Sequence, residues 1–97
     1  MRPIFFGKEA KTEFRKYAKD YDQQKPGLGS EFATEIDAAL DFIGRHPLAS
    51  PAVRGGFRRK RVNRFPFGII YAVEKERIVV VAVMHRRRHP DYWRDRI

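Results

Sequence analysis

The residues that could do chemistry gather in the second half of the chain. Arg54, Arg58, Arg59, Lys60, Arg61 and Arg64 make one basic cluster; Arg86, Arg87, Arg88, Arg94 and Arg96 make another. A guanidinium is a planar fork that grips phosphate or carboxylate through parallel hydrogen bonds. Close to the second cluster lie His85, His89 and Tyr92, side chains able to move protons. Cations around a phosphodiester, with a positioned acid or base, are what metal-free RNA cleavage requires. The same cations without proton transfer make a phosphate-binding or protein-docking surface. Composition alone does not separate the two.

Other chemistries find little support. His85 and His89 are four apart, but Arg86, Arg87 and Arg88 lie between them and Pro90 follows. Three guanidinium groups repel a divalent cation, and no HExxH or Cys/His spacing is present, so neither a metal site nor a cofactor is expected. Gly27-Leu28-Gly29 is a turn into a helix rather than a nucleotide-binding fingerprint. Ser30 and Ser50 lack the context of a serine nucleophile. Glu74 and Glu76 flank a hairpin turn, and Glu31, Glu35, Asp37 and Asp41 fall on a solvent-facing helix stripe.

Charge sharpens the picture. Residues 1–48 carry eight basic and eight acidic side chains, whereas residues 49–97 carry 13 basic and four acidic, so the whole net charge of +9 lies in the second half. An anionic partner follows, nucleic acid or acidic protein. At 97 residues the chain is expected to be one domain, 1–97, with one core. Its 42% hydrophobic and 13% aromatic content excludes a disordered chain, and the absence of cysteine excludes disulfides. No apolar run approaches a membrane span, and the N-terminus turns polar too soon for a signal peptide, so no membrane partner and a cytoplasmic location are expected.

The elements that must position these residues are legible from periodicity. Ile4-Phe5-Phe6 suits a short first strand ended by Gly7. Ala10, Phe14, Tyr17, Ala18 and Tyr21 recur at helical spacing, with Lys8, Glu9, Lys11, Glu13, Arg15, Lys16 and Lys19 on the other face and Glu13 paired to Lys16. Pro26-Gly27 breaks the pattern. A second helix starts at Leu28 to Ser30, carries Phe32, Ile36, Ala39, Leu40 and Ile43, and is expected to be capped by Gly44 before Pro47. Beyond Pro51 the period changes. Residues 57–85 predict a three-strand antiparallel meander, with turns at Asn63-Arg64-Phe65-Pro66 and Glu74–Arg77. The last strand is apolar on both faces, which suits a central position. The fold class is α+β: an N-terminal helical hairpin packed on a small, mainly antiparallel sheet. Tyr92-Trp93 fits either a ring pair for a base or a partner protein, or a cover folded back on the sheet edge. Burial suits a lone tryptophan better.

The ordered set of segments resembles the RelE/ParE superfamily of type II toxin–antitoxin toxins. The parts that carry it are Gly29 to Ile43 with His46-Pro47, Arg58 to Val62, Phe65-Pro66-Phe67-Gly68-Ile69-Ile70-Tyr71, and Val80 to His85 running into arginines. The likeness spans nearly the whole chain. It implies a growth-inhibiting toxin, of the kind tied to plasmid stabilisation, neutralised by a cognate antitoxin with an acidic segment.

Two branches imply different targets. RelE-like members are ribosome-dependent messenger-RNA endoribonucleases, with an arginine on the strand at Phe67–Val73 and a basic or histidine residue plus tyrosine ending the last strand. Here Gly68 stands at the first position and Arg87-Arg88 at the second. ParE-like members poison DNA gyrase without catalytic residues of their own, and the Phe65–Tyr71 run and Met84-His85-Arg86-Arg87-Arg88 ending favour that branch. The expected target-facing set is therefore Arg58, Arg59, Arg61, Arg64, Arg86, Arg87, Arg88 and Trp93. In a ribonuclease the catalytic set would be Arg58, Arg61, His85, His89 and Tyr92. The antitoxin is expected on Phe14, Tyr17, Ile36, Leu40 and Ile69. A non-toxic nucleic-acid-binding module explains the same charge.

Overall fold

A computed structural model describes residues 2–96. The elements are β1 (Ile4–Phe6), α1 (Lys8–Gln24), α2 (Leu28–Arg45), β2 (Arg58–Arg61), β3 (Phe67–Val73) and β4 (Ile78–His85), with short 3-10 turns at Arg54–Gly56 and Arg94–Arg96. The helices pack as a hairpin on one face of a four-stranded sheet ordered β1-β4-β3-β2. The predicted meander is present, and the Glu74–Arg77 turn closes through Glu74 N–H to the Arg77 carbonyl at 2.8 Å. β1 adds a parallel fourth strand, Ile4 opposite Ile78 and Phe6 opposite Val80. β4 is thus central, with a strand on each edge.

Both faces of β4 are covered. On the helix side, Phe32, Ile36, Ile43, Ile69, Tyr71, Ile78, Val80 and Val83 form the main core. Phe32 is fully buried, with Phe65 and Phe67 edge-on to its ring at 5.2 and 5.0 Å. Burying one such side chain contributes about 1.5–3 kcal/mol. On the opposite side, Ile70, Val79, Val81, Ala82 and Met84 lie against Trp93 of the C-terminal segment. A bulge makes this second layer: Ile70 opposes Ala82 and Tyr71 opposes Val80, so Val81 is unopposed, and both Val81 and Ala82 belong to the Trp93 layer.

The hairpin is tight because Gly29 lets the helices touch. A Cβ there would sit 2.7 Å from the Asp22 carboxylate, which accepts the Gly29 N–H at 2.7 Å. Two sequence expectations are corrected. Gly44 is buried inside the last turn of α2, and the helix is capped at His46, whose N–H donates to the Phe42 carbonyl. Glu13 leaves the charged face: it is buried, and Lys16 pairs with Asp20 one turn on, at 2.8 Å. The Ala10–Phe14–Tyr17 stripe is wide enough to include position 13.

Candidate functional site

Strand alternation sorts the first arginine cluster. Arg58 and Lys60 oppose Tyr71 and Ile69 of the main core, so they share the helix face. There the Arg58 guanidinium donates to the Ser50 and Leu48 carbonyls at 2.8 and 3.2 Å, and the Lys60 ammonium sits 4.4 Å over the Phe42 ring. Arg59 and Arg61 oppose Ile70 and Gly68 and project from the other face. Arg58, expected among the target-facing and catalytic residues, braces the loop before β2 through these two bonds.

Arg59 and Arg61 line a groove of about 320 Å³ with Arg64, Arg86, Gly68 and Met84. Gly68 shapes it. A Cβ at that position would lie 2.9 and 3.0 Å from Cγ and Cδ of Arg59. The stem of Arg59 therefore crosses the strand where a side chain would stand. Arg64 is engaged elsewhere: its guanidinium donates to Glu31 at 2.7 Å, which holds the Glu31 carboxyl below its ordinary pKa. Among the described residues, the guanidinium groups of Arg59, Arg61 and Arg86 have no carboxylate partner.

The proton-moving candidates lie outside this groove. His85 packs edge-on against Phe67 at 5.0 Å and near Tyr17 at 6.5 Å, on the helix side. Partial burial, then the charges of Arg87 and Arg86, push its pKa below the usual value. Tyr92 is half-buried, and its hydroxyl donates to Glu13 at 2.6 Å. Burial first, then that bond to a carboxylate, raises its pKa far above the ordinary phenol value. His89 is exposed in the C-terminal segment, its Nδ1 accepting the Asp91 N–H. Arg88 lies 3.9 Å over the Tyr92 ring, and Arg87 is exposed. Trp93, expected among the target-facing residues, is 2% exposed and edge-on to Phe57 at 4.8 Å.

Sequence reasoning missed what anchors Tyr92. β1 covers β4 only as far as Val80, whose carbonyl accepts the Gly7 N–H. Beyond that point Glu13 accepts the Val83 N–H at 2.9 Å, and Arg96 donates to the Val81 carbonyl at 3.1 Å. The two side chains also bind each other, at 2.8 and 3.0 Å. They stand in for a strand on the open edge. Arg54 and Asp91, paired at 2.8 Å, tie the same segment to the loop before β2.

Of the expected antitoxin contacts, Phe14, Tyr17 and Leu40 are half-buried and reachable. Ile36 and Ile69, 1% and 0% exposed, lie in the main core.

Helical hairpin, mixed sheet and basic outer face together define a toxin of the RelE/ParE superfamily. The model of the ParE toxin of the parDE type II toxin–antitoxin system matches residues 4–90, and the chain belongs to that family. No curated protein matches significantly. Among solved structures, a chain of the chromosomal ParDE system from P. aeruginosa superposes with a TM-score of 0.75 at 15% identity, covering 88% of this chain and 96% of that one. The YoeB dimer from Staphylococcus aureus superposes with a TM-score of 0.59 at 18% identity, covering 84% and 93%. Both likenesses establish the fold. No helix among the described residues is long and apolar enough to cross a membrane.

Proposed function

We propose that this type II toxin arrests growth by docking on DNA gyrase rather than by cutting RNA. One observation carries this reading: none of the proton-moving groups His85, His89 and Tyr92 lines the groove that Arg59, Arg61 and Arg86 share. Arg59, Arg61 and Arg86 line the groove on the outer face of the sheet, while His85 packs on the helix side. Tyr92 is bonded to Glu13 at 2.6 Å. An acid or base must come within hydrogen-bond reach of the proton it moves. Docking asks only for complementary charge and shape.

An acidic antitoxin segment neutralises the toxin by folding onto the helical hairpin beside Phe14, Tyr17 and Leu40. Its charge complements the chain's net +9.

Induced expression in a bacterium, with and without the adjacent antitoxin gene, tests the reading. Growth arrest with DNA damage, intact messenger RNA and rescue by the antitoxin is the expected result. The combined His85→Ala, His89→Ala and Tyr92→Ala variant should still arrest growth. Truncated transcripts that vanish in that variant, while it remains folded, would make the chain a ribonuclease. No arrest at confirmed expression would make it a non-toxic binding module.

A further inference from the structure

We propose that the groove around Gly68 is a binding site for the sugar–phosphate backbone of duplex DNA, with Gly68 as the residue that positions Arg59. This goes beyond the choice of protein target and does not rest on it. Three features of the groove argue for it.

The first is charge without a partner. Arg59, Arg61 and Arg86 converge on one concave surface, and none is neutralised by a carboxylate among the described residues. Arginines held together without counter-charge cost stability through mutual repulsion, and a polyanion removes that cost. The second is spacing. Arg59 and Arg61 are two apart on one strand face, about 6.6 Å by strand rise. That separation is comparable to the distance between successive phosphates along a nucleic-acid strand.

The third feature selects the duplex. Single-strand binders add exposed aromatic rings on which bases stack. The aromatic rings at this groove, Phe65 and Phe67, are buried in the core, and Trp93 is buried under the neighbouring segment. With no stacking platform, recognition falls to the backbone alone, and a duplex presents that backbone with its bases already stacked. The contact is therefore independent of sequence.

Gly68 makes the site specific to this chain. The Arg59 stem lies across the Gly68 Cα, and a methyl group there would force Cγ and Cδ aside. Gly68→Ala therefore displaces a cation without removing any charge. It is compatible with folding, since Gly68 sits in a strand without positive φ, where alanine is the better residue.

Fluorescence anisotropy of a short labelled duplex DNA, titrated with the purified protein over a salt series, tests the proposal. Three phosphate contacts give a slope of log affinity on log salt near −2.7, a loss of about 40-fold between about 50 and about 200 mM salt. Arg59→Ala, Arg61→Ala and Arg86→Ala should each shrink the slope by about one, whereas Arg15→Ala on the helical hairpin should not change it. Gly68→Ala should weaken binding several-fold at unchanged net charge. Equal affinity of the wild type and the triple arginine variant would overturn the site. Unchanged affinity in Gly68→Ala would overturn the positioning role. Tighter binding of a single-stranded RNA of equal length would overturn the choice of duplex.

Discussion

Glu13 of α1 and Arg96 of the last turn meet through both carboxylate oxygens, at 2.8 and 3.0 Å, on the edge of β4 that β1 leaves uncovered. Each also takes one backbone group of that edge, Val83 N–H for Glu13 and the Val81 carbonyl for Arg96. The pair performs the hydrogen bonding of two residues of a missing strand. An open edge is a template for unwanted pairing, and filling it with charge is a general remedy. The C-terminal segment is held across the sheet by the same contact.

Removing that contact should be costly. Glu13→Gln keeps the shape but loses the charge facing Arg96, and Glu13→Ala also leaves the Val83 N–H without its acceptor. Because both side chains retain some solvent contact, at 18% and 11% exposure, the loss falls at or below the roughly 3–5 kcal/mol of a fully buried pair. About 2–3 kcal/mol is expected for Glu13→Ala and less for Glu13→Gln, read from urea midpoints at fixed m-value. Lys16→Ala, which breaks an exposed pair on the same helix, should leave the midpoint where it was. A Glu13→Ala midpoint equal to the wild type would remove the pair's structural importance.

Trp93 gives this segment its own optical probe, since it is the only tryptophan and is buried against Phe57. In Arg96→Ala the emission should move to longer wavelength and become quenchable by acrylamide at urea concentrations where the far-ultraviolet circular dichroism is still native. Coincident transitions by both probes would mean that the segment and the sheet unfold as one unit.

His85 makes stability depend on pH in a definite direction. Its folded pKa lies below the ordinary value of 6.5, so the unfolded chain binds the proton more readily. The stability from keeping His85 neutral is complete above about pH 6.5 and is lost as pH falls from there through the folded pKa. Thermal midpoints taken from pH 8 to pH 5 should therefore drop further in the wild type than in His85→Gln. Parallel curves for the two proteins would count against the shift. The Glu31–Arg64 contribution belongs to a lower window, since the folded carboxyl pKa is depressed; it persists above about pH 4.5 and fades below.

The two kinds of hydrophobic residue on the hairpin and sheet should separate under mutation. Ile36→Ala and Ile69→Ala remove fully buried side chains and should cost about 2–5 kcal/mol each. They should weaken antitoxin binding only by the fraction unfolded. Phe14→Ala and Leu40→Ala remove half-buried side chains, should cost less stability, and should weaken antitoxin binding directly. Calorimetric titration against the antitoxin beside a denaturation curve makes the comparison. Loss of affinity in the first pair while fully folded would reverse it.

Much of this architecture was legible in residue order. The Phe32–Ile36–Ile43 stripe carries a helical period, and the run from Ile78 to Val83 is marked as a strand by its β-branched residues and the polar turn before it. What escaped were the partners of short or polar segments. Three apolar residues at Ile4–Phe6 indicate a strand but not that it lies parallel to β4. Glu13 looks like one more surface charge because its partners, Val83, Tyr92 and Arg96, lie at the far end of the chain. The arginine clusters were visible by count. Their division between faces was latent in the alternation of β2, where Arg58 and Arg59 point oppositely. Gly68 was misleading alone: it reads as a missing cation until Arg59 is seen lying across it.

The parallel pairing of Ile4 with Ile78 also governs when the molecule comes into being during translation. While the ribosome is still making α2, β1 has no strand to join, because its partner β4 is the last strand to be made. Arg59, Arg61 and Arg86 cannot be brought together before the last of them leaves the exit tunnel. A nascent chain therefore carries its helical hairpin well before it carries its basic groove.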